Sequence, residues 1–189
     1  NKPRDAVILL EGEINQENVN PKLFNYLGLA YYQIGEYDKS VAVFAKGLST
    51  PGTNKKILSF NQGNSYFAIK DYKNAIPLFE YCVSNGKEYT ASVFNDALLK
   101  LADSYNKNGM PKKTISLFDK INKDDVGSLP YYLLMSYTGD AYKDLKEYKK
   151  AYDLYCEVLS SGEKSLSANA LKKAYNISAS YKSQVGTDP

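Results

Sequence analysis

Residues 24–48, FNYLGLAYYQIGEYDKSVAVFAKGL, decide how the rest of the chain is read. Two apolar-periodic segments flank the short break Gly35-Glu36. Their landmarks are Leu27-Gly28, Tyr31, Tyr37, Ser40 and Phe44. The same arrangement returns as Tyr66, Tyr72, Ala75 and Phe79. It returns again as Tyr105, Pro111, Thr114 and Phe118, and once more as Tyr142, Tyr148, Ala151 and Tyr155. In all four copies the first and last landmarks stand thirteen residues apart. Self-similarity at a fixed period means a repeat array whose units are helix hairpins.

The neighbouring segments follow from this register. Ala6 and Leu10 match Ser40 and Phe44 one 34-residue period earlier, so residues 3–18 read as the second helix of a truncated repeat. Repeats then occupy 20–50, 54–86, 90–123 and 128–161, and 164–184 reads as a C-terminal helix, a half repeat or a cap; together they form a single array over 1–189. Because residue 1 falls inside a repeat, the chain is expected to be part of a longer one, and a leader, anchor or membrane helix of that longer chain would lie outside these residues. Asn20-Pro21, Asn54, Thr90 and Ser128 are the expected helix caps. Gly35-Glu36, Lys70-Asp71, Gly109-Met110 and Lys146-Glu147 are the expected hairpin turns. Pro77 falls in the second turn of its helix and predicts a kink there. Residues 122–127 read as a polar loop. Spacing varies only between hairpins, where a stacked design absorbs insertions without disturbing its packing.

Composition narrows the function classes. Lys and Arg number 24 against 21 Asp and Glu, a net charge of +3. That balance argues against nucleic acid and against an anionic membrane. Arg4 is the sole arginine, and a single bidentate fork counts against phosphate and base recognition, which usually lean on several. The chain has no histidine, which removes the commonest general base and the imidazole metal ligands. No phosphate loop, metal cluster or acid–base pair stands out, so neither catalysis nor a cofactor is expected. No apolar run is long enough for a membrane span. Cys82 and Cys156 sit two repeats apart, where no bridge is expected; two scattered cysteines do not decide the compartment. Asn176-Ile177-Ser178 is a glycosylation sequon placed inside a predicted helix.

The landmark set resembles the tetratricopeptide repeat, a unit near 34 residues with Leu-Gly, then Tyr, then a small residue and an aromatic in the second helix. Residues 24–44 match it best. The second copy keeps Gly63, Tyr66, Ala75 and Phe79. The third has Leu98, Leu101, Ala102, Tyr105, Thr114 and Phe118; the fourth has Met135, Gly139, Tyr142, Ala151 and Tyr155. The small residues Gly28, Gly63, Ala102 and Gly139 are expected to let paired helices approach, with the aromatics filling the space left.

The resemblance implies an all-α, right-handed α-solenoid of stacked antiparallel hairpins and a non-catalytic protein-interaction module. It also implies that first helices line a concave groove for a peptide or partner protein. By helical spacing the lining residues are Asn25, Leu29, Tyr32, Phe60, Asn64 and Phe67. They continue with Leu99, Asp103, Asn106, Ser136, Asp140, Lys143 and Tyr175, followed by Ala179 and Lys182. An aromatic floor with amide and carboxylate neighbours suits an extended peptide or an amphipathic helix. One subtype of the family grips a C-terminal carboxylate with cations and amides. Asn64 matches that pattern, but Asn25 and Leu99 stand where cations or amides are expected. Two other roles fit the same array. One is an assembly scaffold working through its ends or convex face, with Val7 and Leu10 exposed at the open end. The other is the regulatory region of a larger enzyme.

Overall fold

A computed structural model describes residues 2–14 and 19–186, with side chains from Arg4 onward. Residues 15–18, which close the predicted half repeat, and 187–189 of the predicted frayed tail lie outside the described residues. The described residues form eleven α-helices and no strand. They run α1 Lys2–Glu13, α2 Lys22–Gln33, α3 Tyr37–Ser49, α4 Lys55–Ala68, α5 Tyr72–Ser84 and α6 Ala91–Lys107. They continue with α7 Pro111–Phe118, α8 Lys123–Val126, α9 Ser128–Asp144, α10 Tyr148–Ser160 and α11 Lys164–Val185. The chain divides into two compact units, one ending at Thr90 and the other starting at Ala91. In the first, α1 packs on α2, and α2–α3 and α4–α5 form successive hairpins. In the second, α6–α7 and α9–α10 are the hairpins, with α8 against α9 and α11 against α10.

The four hairpin turns share one backbone device. Gly35, Lys70, Gly109 and Lys146 adopt positive φ of 82°, 62°, 72° and 61°. Each lies four residues after its landmark Tyr. The next residue's N–H donates back to that Tyr's carbonyl: Glu36 to Tyr31, Asp71 to Tyr66, Met110 to Tyr105 and Glu147 to Tyr142, at 2.8–3.0 Å. This is the Schellman closure of a helix end, which satisfies carbonyls left over by the last turn. Glycine enters the left-handed region without a Cβ clash; Lys70 and Lys146 enter it at a cost.

Two of the caps named in the sequence form as expected. The Asn20 side chain accepts from the Lys22 N–H, and Asn54 accepts from Ile57 N–H at 3.2 Å. Asp71 caps α5 by accepting from Asn74 N–H. Ser128 is not the cap of α9: it is the first helical residue, and Gly127, at φ 84°, precedes it. Residues 122–127 are not a plain loop either. Residues 123–126 make the one-turn helix α8, because Val126 turns inward and is buried. Pro77 lies inside α5, which runs through it as one helix. Its side is exposed, so the carbonyl left without an N–H partner faces water rather than core.

Packing follows the landmarks. Phe24, Phe44, Phe79 and Tyr155 are fully buried. A Cβ placed on Gly28 would stand 2.4 Å from the Phe44 ring, and one on Gly139 would stand 2.5 Å from the Tyr155 ring. Each aromatic ring therefore presses directly on the backbone of its paired helix, where no side chain fits. The small residue of the second helix bonds the same spot: Ser40 Oγ donates to the Gly28 carbonyl, and Thr114 Oγ1 to the Ala102 carbonyl. The third hairpin departs from the expected filling. Ala102 is fully buried and supplies its own methyl, and Phe118 is only half-buried. Its ring stands 5.3 Å from Tyr131 of the following hairpin instead.

At the N-terminal end, Val7 is buried and Leu10 packs against Phe24, Leu27 and their neighbours, contrary to the expected exposure. Ile8 and Leu9 are the exposed apolar residues there, at 70% and 72%. Cys82 is buried and Cys156 half-buried, and neither is bridged. Among the described residues no helix is long and apolar enough to cross a membrane.

Candidate functional site

The residues named for a groove fall on first helices in both units, and each unit presents its own set. In the first unit Asn25, Leu29, Tyr32, Phe60, Asn64 and Phe67 are all half-buried. Two of the aromatics are partly committed within their own hairpins. Tyr32 meets Tyr37 edge-on at 5.1 Å; Phe67 meets Tyr72 at 5.5 Å and Phe79 at 6.3 Å. Asn25 Oδ1 accepts from Asn61 Nδ2 at 2.8 Å, a bond between α2 and α4.

Beside Asn25 the first unit has a cleft of about 300 Å³ between the starts of α2 and α4. Lys22, Tyr26, Asn54, Ile57 and Leu58 line it with Asn25. Tyr26 is 55% exposed and Ile57 44%, although both are large and apolar. Exposed apolar groups around a concavity, with a few fixed polar atoms, are what a small binding site offers. Sequence reasoning found Asn25 but missed Tyr26 and Ile57. The available signal was their position: each is a large apolar residue off the buried stripe of its helix.

In the second unit the set is charged, and much of it is occupied. Asp140 accepts from the Tyr155 hydroxyl at 2.8 Å and pairs with Lys173 Nζ at 2.6 Å. The same Nζ donates to Oγ of Ser136, which is buried. Lys173 thus ties α11 to α9, and Asp140 ties α9 to α10. Asn106 donates to the Tyr137 carbonyl and accepts from Thr114 Oγ1 at 2.7 Å. Lys143 pairs with Asp144 at 3.5 Å. Leu99 is half-buried, while Tyr175 is 78% exposed. Ala179 and Lys182 are exposed with it.

Asp103 differs from its neighbour Asp140. Burial holds its carboxyl above the usual carboxylate range; Asp140 adds to that, while Lys107 and Lys173 oppose it. Burial, Asp103 and Asp140 together push the Tyr137 phenol up to about 12. Lys173, Asn61 and Tyr137 were all missed from the sequence. Their signal is separation: Asn25–Asn61, Ser136–Lys173, Asp140–Lys173 and Asn106–Tyr137 are each about one repeat apart. Polar pairs at that spacing face each other across adjacent first helices.

The elements and their register define an α-solenoid class of protein, stacked helix hairpins closed by one recurring turn. Models of the tetratricopeptide repeat match residues 22–51 and 96–126. Those two stretches match as tetratricopeptide repeats, and the chain has the helix-hairpin fold of solved tetratricopeptide-repeat structures. No curated protein sequence matches it. Solved structures share the fold at low identity. MamA from Desulfovibrio magneticus RS-1 is 23% identical, covers 84% of this chain and 85% of its own, and superposes with a TM-score of 0.67. YrrB, a TPR protein described as having an unusual peptide-binding site, is 16% identical over 90% of this chain and 84% of its own, with a TM-score of 0.73. A putative kinesin light chain of Podosopora anserina with nearly identical TPR-like repeats is 16% identical over 87% and 88%, with a TM-score of 0.65.

Proposed function

We propose that this protein acts by binding rather than by catalysis, and that first-helix faces take an extended peptide or a helix of a protein partner. The observation that carries this reading is the cleft beside Asn25. Tyr26 and Ile57 stay exposed on its walls although burying either elsewhere would be favourable. An apolar side chain of a partner would enter between them. The Asn25–Asn61 amide pair lies within hydrogen-bonding reach of a backbone that follows such an anchor. Leu29, Phe60, Asn64 and Phe67 extend the face along the same helices. A peptide-binding site in YrrB, on the same fold, agrees with this use of the architecture.

The faces of the two units offer different chemistry. The first is apolar with amides. The second offers Asp103 beside a network in which Asp140, Ser136 and Asn106 are already bonded, so those three serve mainly to fix neighbouring helices. Partner contacts in the second unit then fall to Asp103, Leu99, Lys143 and Tyr175.

The test is selection of displayed peptides on the purified chain, followed by anisotropy titration of the selected peptide. Tyr26→Ala and Ile57→Ala are each expected to weaken binding by about tenfold or more, as truncated anchors do. Both side chains are exposed, so circular dichroism and urea midpoints are expected to stay near the parent values. Unchanged affinity in both variants would remove the cleft from the site. Failure to select any peptide would remove the peptide reading.

A further inference from the structure

The turn ends of the hairpins carry different charge in the two units. The eight residues that follow each landmark Tyr hold the turn and the first turn of the return helix. In the first unit these stretches, 32–39 and 67–74, hold three lysines and three acidic residues. In the second unit, 106–113 and 143–150 hold seven lysines against Asp144 and Glu147. Helix stability does not call for this excess. Lys112 and Lys113 stand in the first turn of α7, and Lys149 and Lys150 in the first turn of α10; neither turn contains an acidic residue. The N-terminal end of a helix carries partial positive charge, so cations are disfavoured there. α3 follows the ordinary preference, with Asp38 in its first turn.

One position sets the third turn apart. The residue after the left-handed turn residue is a carboxylate in three hairpins: Glu36, Asp71 and Glu147. Two of these pair with the lysine three residues on, Glu36 with Lys39 at 3.7 Å and Glu147 with Lys150 at 2.6 Å. In the third hairpin that place is Met110, which is 37% exposed, and Lys112 and Lys113 beyond it are exposed. Asn108 Nδ2 donates to Met110 Sδ at 3.8 Å and holds the thioether in place. Beside it a hollow of about 300 Å³ lies between this turn and the next. Gly109, Met110, Pro111, Lys112, Lys113 and Leu145 line it, and none of them is acidic.

From this composition we infer that the turn edge of the second unit docks an acidic segment of a protein partner. One apolar side chain of that segment sits against Met110 and Leu145. Carboxylates on either side of the anchor meet Lys112 and Lys113, and the other lysines of the edge extend the positive field. The buried anchor supplies most of the affinity, while the lysines select the partner and speed encounter. The hollow favours a peptide over an anionic bilayer. A bilayer takes up apolar side chains that project from a surface, whereas a concavity receives one. The edge belongs to a different unit from the cleft beside Asn25, so the inference does not rest on that cleft.

The experiment is selection of displayed dodecapeptides on the 189-residue chain, after depletion on the double variant Met110→Glu, Lys112→Glu. Both side chains are exposed, and circular dichroism checks that the variants fold. Surviving peptides are expected to place an apolar residue among Asp and Glu. In anisotropy titrations of those peptides, Met110→Glu and Lys112→Glu, made separately, are each expected to weaken binding by about tenfold or more. Lys112→Ala, which removes the charge without reversing it, is expected to weaken binding less. Tyr26→Ala is expected to leave it unchanged, which separates this site from the first-unit cleft. Affinity is expected to fall as NaCl is raised. If no peptide survives depletion, if the survivors lack acidic residues, or if their affinity ignores salt, the inference is overturned. Flotation with vesicles of phosphatidylserine and phosphatidylcholine is the other arm. Vesicle binding that Lys112→Glu abolishes, with no peptide surviving, would assign the edge to a membrane and overturn the inference as well.

Discussion

The third hairpin and the first obey the same thirteen-residue spacing, yet their last landmarks lie in different places. Phe44 is sealed against the backbone at Gly28, while Phe118 is half-buried and leans on Tyr131 of the next hairpin. The difference lies sixteen residues before each aromatic. Gly28 leaves a notch that a ring edge fills; Ala102 fills the notch with its own methyl, and the ring is displaced. The second helix changes with it. α7 has 8 residues where α3, α5 and α10 have 13, and the one-turn α8 with buried Val126 follows. Spacing therefore sets which residues meet, while notch size sets how deeply they pack.

Truncating the two aromatics tests this most strongly. Phe44→Ala is expected to destabilise the first unit by about 3–5 kcal/mol, the range for a buried Phe that leaves a cavity. Phe118→Ala is expected to cost the second unit less than half of that, because its ring is already partly in water. Urea midpoints followed by circular dichroism measure both. Equal losses would show that Phe118 is as firmly packed as Phe44.

Exchanging the notch residues gives a smaller effect. Gly28→Ala drives a methyl into the Phe44 ring, at an expected cost of about 1–3 kcal/mol. Gly63→Ala is expected to cost less, since its Cβ would stand 2.9 Å from the Phe79 ring rather than 2.4 Å from that of Phe44. Chemical denaturation ranks the two. If Gly28→Ala were neutral, ring displacement of the kind seen at Phe118 would be cheap everywhere, and the contrast between hairpins would have no energetic basis.

The turns allow the smallest test. Lys70→Gly and Lys146→Gly are each expected to stabilise their hairpins by about 1 kcal/mol, by relieving a side chain held at positive φ. Gly35→Lys and Gly109→Lys are expected to do the reverse. Thermal midpoints that move in opposite directions for the two pairs would establish that all four turns share one conformation in solution.

Much of the fold was legible because repeats announce themselves. Tyr31, Tyr66, Tyr105 and Tyr142 mark hairpin ends, and the break after each is a helix closure whose cause is local backbone chemistry. Asn20 and Asn54 cap as their type predicts, again through contacts two or three residues away. Less of the candidate site was legible. Asp140 reads as a groove carboxylate in the sequence, but Lys173 and Tyr155 hold it in the structure, thirty-three and fifteen residues away. Tyr26 and Ile57 read as ordinary apolar residues until the starts of α2 and α4 leave a cleft between them.

The sequence by itself determined the all-α architecture, the hairpin register, the Asn20 and Asn54 caps and the turn positions. Each depends on side-chain period or on contacts within a few residues. Only the tertiary structure decided which polar groups are already bonded across adjacent helices, which aromatic is displaced from its notch, and which apolar residues are left exposed around a cleft. Those outcomes depend on the volume and charge of residues about one repeat away. Packing compares such residues directly, and a linear pattern does not.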